Sequence, residues 1–144
     1  MTSDRPAEPP DELLRELLLR SRTLAVVGLS ERPDRPSHEV ARRLKEAGYR
    51  IIPVNPNAGS VLGEPSYPSL REVPGPVDMA VVFRRPEHVG AVVDEAIQAK
   101  VPVVWMQLGI REPEAARRAE AAGIEVIMDR CTWIEYQRLF GPRR

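Results

Sequence analysis

Glycine, serine and arginine crowd one short stretch, "VVGLSERPDRPSHEV" from Val26 to Val40, in an order suited to holding an anion. An apolar run ends at Gly28, Leu29 and Ser30 follow, Arg32 and Arg35 bring two permanent positive charges, and Ser37 stands where an N-cap belongs. Guanidinium binds phosphate bidentately and keeps its charge, while a helix start offers unpaired N–H groups and the positive end of its dipole. The chemistry on offer is phosphate recognition. The same residues also make an ordinary exposed turn.

A dinucleotide fingerprint sets a sharper test. It places glycines at the first, third and sixth positions of such a turn, and ends the next strand in Asp or Glu to hold a ribose hydroxyl. Here the three positions are Gly28, Ser30 and Pro33, and the next strand ends "PVNPN", where Val54 and Asn55 supply no carboxylate. Both departures argue against NAD.

Those loops need elements to position them. Apolar runs predict strands at 23–29, 49–54, 77–83, 101–108 and 124–129, alternating with helix-period segments at 37–48, 86–100 and 112–123. This is the pattern of a Rossmann-like α/β fold, a doubly wound sheet of about five parallel strands in three layers. Pro86 and Pro113 sit at first-turn positions, and Gly48 and Gly123 sit where helices give way to strands. A further helix at 11–20, with Asp11 placed to cap it, carries a Leu13, Leu14, Leu17 and Leu18 stripe that serves its own core or a dimer. The first ten residues read as a flexible tail, and 11–144 as one domain. Residues 55–76 are too rich in proline and glycine for a full crossover helix and read as an elaborated loop with one short turn at "SLREV". Pro53 lacks a ladder donor, so its strand ends early or lies where the donor is not needed.

The 144 residues carry 21 basic and 21 acidic side chains, so no global field advertises a nucleic-acid surface. A single cysteine, Cys131, excludes an internal disulfide, and with two histidines there is no zinc framework. No run suits a membrane helix or a signal peptide, which points to the cytoplasm. There is no internal repeat and no second domain.

Other reactive side chains give no catalytic constellation. His38 and His88 each need an orienting partner to act as a base. Cys131 follows the last strand near the rim of the anion site, as a reactive thiol or a small buried hydrophobe. Trp105, Trp133, Tyr136 and Phe140 follow core or docked-helix spacing, and Tyr67 is a candidate shield for a ligand.

Taken together, "VVGLSERPDRPSHEVARRLKEAGYRIIPVNPNA", "VFRRPEHV" and "VVWMQLGI" resemble the small stand-alone CoA-binding proteins of bacteria, which are similar to the CoA-binding domain of the succinyl-CoA synthetase α subunit. The resemblance runs from about Thr23 to Cys131. It implies coenzyme A across the carboxyl ends of the strands, with Gly28, Leu29 and Ser30 near the phosphates and pantetheine. It further implies Val54, Asn55 and Pro56 at the adenosine, and Phe83, Arg84, Met106, Gln107, Leu108 and Gly109 flanking the rest. Arg32, Arg35, Arg84 and Arg85 suit a ligand with a diphosphate and a 3′-phosphate; Ser37 joins them at the helix start. The synthetase's lysine after the second strand and its acidic residue after the fourth are replaced by "NPNAGS" and Leu108. Its phosphohistidine lies in a further domain, so ligase chemistry is not expected here.

The sequence therefore predicts a non-catalytic CoA or acyl-CoA binder acting as sensor, carrier or regulatory module. The alternatives are an enzyme using the same pocket, either NAD(P)-linked or a CoA-dependent transferase completed by a partner subunit, and an interaction domain with a vestigial pocket. The partner protein and any homo-oligomer are left open.

Overall fold

The computed structural model describes residues 8–141. Seven strands and five α-helices follow one another along the described residues. They are α1 (Asp11–Arg20), β1 (Thr23–Val27), α2 (Pro36–Glu46), β2 (Arg50–Val54), β3 (Ser60–Val61), β4 (Glu64–Pro65), β5 (Met79–Val82), α3 (Pro86–Gln98), β6 (Val103–Met106), α4 (Pro113–Ala121), β7 (Glu125–Ile127) and α5 (Thr132–Phe140). Five strands form one parallel sheet in the order β2-β1-β5-β6-β7.

Both faces of that sheet are covered, which is why its strands are apolar at successive positions and not alternately. In β1, Leu24 and Val26 face a core built with Leu14, Leu17 and Leu18 of α1, Ala41 and Leu44 of α2, and the aromatic side of α5. Ala25 and Val27 face the other core, filled by Val89, Val92, Val93 and Ala96 of α3 and Ala115, Ala116 and Ala119 of α4. The stripe of Leu13, Leu14, Leu17 and Leu18 is thus spent on the protein's own core, while Leu19 stays exposed. Trp105 is fully buried and donates its indole N–H to the Arg130 carbonyl at 2.8 Å.

Helix starts differ from the sequence expectation at two places. Asp11 is the first residue of α1 and not its cap; Pro10 precedes it, and the Asp11 carboxylate accepts from Arg138 of α5 at 2.8 and 3.0 Å. Ser37 is likewise the second residue of α2, because Pro36, with its fixed φ, takes the first position and Arg35 the cap. The expectation of a flexible tail at 1–10 falls outside the described residues except at 8–10, where Glu8 pairs with Arg130 and the Pro10 carbonyl accepts the Leu13 and Leu14 N–H groups.

Pro53 is tolerated because β2 is an end strand, although Tyr67 adds one parallel bridge outside Val54. The 55–76 segment holds more order than an irregular loop. β3 and β4 form a hairpin whose two turn residues, Leu62 and Gly63, both have positive φ, the signature of a type I′ turn. Lys45 fastens it by donating to the Leu62 carbonyl and pairing with Glu64 at 3.1 Å. A 3-10 turn at Leu70–Glu72 follows, with Leu70 buried and its N–H given to Glu95 of α3 at 3.0 Å. No described helix is long and apolar enough to cross a membrane.

The strand order fixes where a ligand fits. From β1 the chain crosses through α2 to β2 on one side, then returns to β5 on the other side of β1. The loops after β1 and β5 therefore leave in opposite directions, and a crevice opens between them at the carboxyl ends of the strands.

Candidate functional site

That crevice, of about 160 Å³, is bordered by Gly28 after β1, Pro56 after β2, and Arg84 and His88 around the start of α3. Its apolar walls are Val27, Val54 and Val92. Gly28 has φ +88°, and a Cβ there would overlap the Phe83 carbonyl oxygen and lie 3.1 Å from Arg84 Cδ. Glycine is needed for both reasons, since the backbone of one loop rests on the backbone of the next.

Around the turn, polar groups hold one another in place. The Ser30 N–H donates to Ser37 Oγ at 3.0 Å, and Ser30 Oγ accepts from the Arg32 N–H at 3.0 Å. Asn55 ties the second loop to the first: its Nδ2 donates to the Leu29 carbonyl at 2.9 Å while its Oδ1 accepts from the Asn57 N–H at 2.8 Å. Leu29 is fully buried, main chain included, so it shapes the turn from beneath. The N–H groups of Leu29, Ser37 and Glu87 have no acceptor among the described residues. Arg84 is half-buried and also has no carboxylate partner among them, whereas Arg32 pairs with Asp34 at 3.1 Å on the surface.

A pattern that sequence reasoning passed over links the two helix starts. Arg-Pro-Ser-His at 35–38 and Arg-Pro-Glu-His at 85–88 open α2 and α3 identically, with arginine at the cap, proline first and histidine third. Each histidine N–H returns to its arginine carbonyl, at 3.1 Å for His38 and 2.8 Å for His88. The α3 start lines the crevice through Arg84 and His88, whereas no residue of the α2 start is among its lining. The signal was a four-residue recurrence, legible once the strand order says that the two loops are neighbours.

Other expected residues lie elsewhere. Met106 is buried in the α3/α4 core, and Gln107 is buried with its amide donating to Thr132 Oγ1 at 3.0 Å, which anchors α5. Gly109 gives its N–H to Asp129 Oδ1 at 2.7 Å. Leu108 is exposed, and it borders a second, larger groove beside β7 together with Cys131. Cys131 is therefore not at the rim of the crevice; the separation follows from β7 being the far end strand of the sheet. Among the described residues, no group of three or more His, Cys, Asp or Glu side chains is placed to hold a metal ion.

A family model described as "CoA binding domain" matches residues 22–137. The chain belongs to this CoA-binding family. Within the family's reach, the uncharacterized protein YneT of Bacillus subtilis is 45% identical over 123 residues, covering 85% of this chain and 91% of that protein. A solved structure, a hypothetical protein from Pyrococcus horikoshii, superposes with a TM-score of 0.91 at 36% identity, over 98% of this chain and 100% of that one. The α subunit of the ADP-forming acetate–CoA ligase II of Pyrococcus furiosus is 33% identical over 108 residues, 73% of this chain but 24% of the subunit. The enzyme relatives thus carry a unit like this one as a minor part of a longer chain.

Proposed function

We propose that the chain binds CoA or an acyl-CoA across the switch-point crevice without itself transforming it, as a sensor, carrier or regulatory module of the cytoplasm. The observation that carries this reading is Arg84: a half-buried guanidinium with no protein partner among the described residues, on a crevice at the N-terminal end of α3. A diphosphate and a 3′-phosphate answer that surplus of positive charge and free N–H groups. The donor set fits the ligand. Gly28, Leu29 and Ser30 supply the turn that the phosphates and pantetheine lie against, Ser37 holds that turn through the Ser30 N–H, and Arg32, Arg35 and Arg85 add charge at the rim. Val54, Asn55 and Pro56 form the adenosine side, with Phe83 and the exposed Leu108 and Gly109 of the loop after β6 flanking the pantetheine. At about 160 Å³ the crevice is smaller than a site enclosing a drug-sized molecule, so it grips one portion while the rest lies along the strand ends. Bound CoA supplies a thiol that carries acyl groups as thioesters.

NAD is disfavoured because β2 ends at Val54 and the next residue, Asn55, is an amide committed to Leu29. A second reading, a CoA-holding part of a transferase completed by a partner, is favoured by the ligase subunit in which the matching unit is a small share.

Thermal unfolding of the full chain with CoA, acetyl-CoA, palmitoyl-CoA, NAD and NADP tests the proposal. A ligand at about 100 times its Kd adds ~2.7 kcal/mol, and at about 3 °C per kcal/mol for this size the midpoint rises by roughly 8 °C. A shift with NAD and none with any CoA species overturns it.

A further inference from the structure

The polar side chains that line the crevice are Ser69, Arg84, His88 and Glu95. Two of them are spent inside the protein: Glu95 accepts the Leu70 N–H at 3.0 Å, and the Ser69 hydroxyl donates to Glu72 at 3.2 Å. Arg84 and His88 remain, and neither side chain has a hydrogen-bond or ion-pair partner among the described residues. Arg84 is half-buried in the loop that leads into α3, and His88, the third residue of that helix, is exposed at the crevice mouth. His88, Ala91, Val92 and Glu95 follow at helical spacing, so they share the side of α3 that faces the crevice. Glu95 lies at the far end of that side, about 10 Å along the axis from His88. Arg84 and Glu95 are the charged groups that line the crevice with His88; the ends of β1 and β2 and the Pro68–Ser69 segment bring none.

The charge count decides what fits there. Val54 and Pro56, on the adenosine side, border the same crevice as Arg84 and His88. The group that an adenosine so placed turns toward α3 is the 3′-phosphate of its ribose, since the diphosphate belongs to the turn at Gly28, Leu29 and Ser30. A phosphate monoester takes a second negative charge with a pKa of about 6, which one guanidinium matches only in part. An imidazolium beside it supplies the rest. We propose that His88 is a specificity residue that grips the 3′-phosphate together with Arg84 and so distinguishes CoA from dephospho-CoA, an inference that rests on the CoA reading above.

Titration calorimetry of the full chain with CoA and dephospho-CoA, at pH 8 and pH 6.5, is the test. A charge-assisted hydrogen bond, discounted for the open mouth, predicts that His88→Gln cuts the preference for CoA over dephospho-CoA by roughly 3- to 10-fold at pH 6.5. The position is exposed, so thermal unfolding should find the variant as stable as the parent. Imidazole gains its charge in this range while the monoester keeps most of its second, so the preference should rise by roughly three-fold from pH 8 to pH 6.5 in the parent and not in His88→Gln. Equal affinities for CoA and dephospho-CoA overturn the proposal and leave the CoA reading standing. A preference and a pH profile that His88→Gln leaves intact overturn it in the same way. Failure of both ligands to bind would instead bring down the CoA reading, and this inference with it.

Discussion

Replacing Gly28 by alanine should damage the protein through two separable costs. The residue's φ of +88° charges any L side chain about 1–2 kcal/mol, and the new Cβ would run into the Phe83 carbonyl, a backbone atom with no rotamer to escape into. Overpacking of that kind costs about 1–3 kcal/mol more, giving a total of roughly 2–5 kcal/mol. At about 3 °C per kcal/mol the thermal midpoint falls by roughly 6–15 °C. Gly109→Ala is the control. Its φ is +85°, yet nothing lies within 4 Å of the added carbon, so only the backbone cost of about 1–2 kcal/mol applies. Urea and thermal unfolding of both variants read the difference, which isolates the contact between the loops after β1 and β5. Equal losses for the two variants would refute the claim that the first loop rests on the second.

Arg84→Ala should weaken CoA by roughly 10- to 100-fold, in line with a lost charge-assisted hydrogen bond, and dephospho-CoA by less if that guanidinium grips the 3′-phosphate; equal losses in calorimetry reject this placement. Tyr49→Phe removes a partly buried hydroxyl that donates to the Leu18 carbonyl at 2.6 Å, and equilibrium unfolding should show a loss of about 1 kcal/mol. Burial also pushes the Tyr49 phenol well above its ordinary pKa, so alkaline titration should leave it protonated after exposed tyrosines have ionised. Arg138 holds Asp11 below its ordinary 3.8, chiefly by hydrogen bonding, and Arg42 and Arg43 hold Glu39 below 4.5. A depressed folded-state value means that the stabilisation is present above the ordinary value and is lost as pH falls through the depressed one. The urea midpoint should therefore drop below about pH 4, with a shallower acid slope in Asp11→Asn; an unchanged slope rejects Asp11 as a contributor.

The sequence by itself determined the elements, because what makes them is local. Five apolar runs buried on both faces, prolines at helix starts and glycines past helix ends specify a parallel α/β sheet without reference to anything distant. Glycine at 28 and the missing carboxylate after β2 were also readable, since each belongs to a single turn. The tertiary structure alone decided which turns meet. Gly28 abuts Phe83 because Val27 pairs with Val82, a register set 55 residues away. Asn55, with no charge to offer a ribose, turned out to lock the neighbouring loop through Leu29, and Gln107 to anchor α5 through Thr132. Cys131 was separated from the crevice, and the Arg-Pro-Glu-His start of α3 brought beside it, by strand order. That order follows from packing two helical layers on one sheet, a non-local condition on which spacing along the chain is silent.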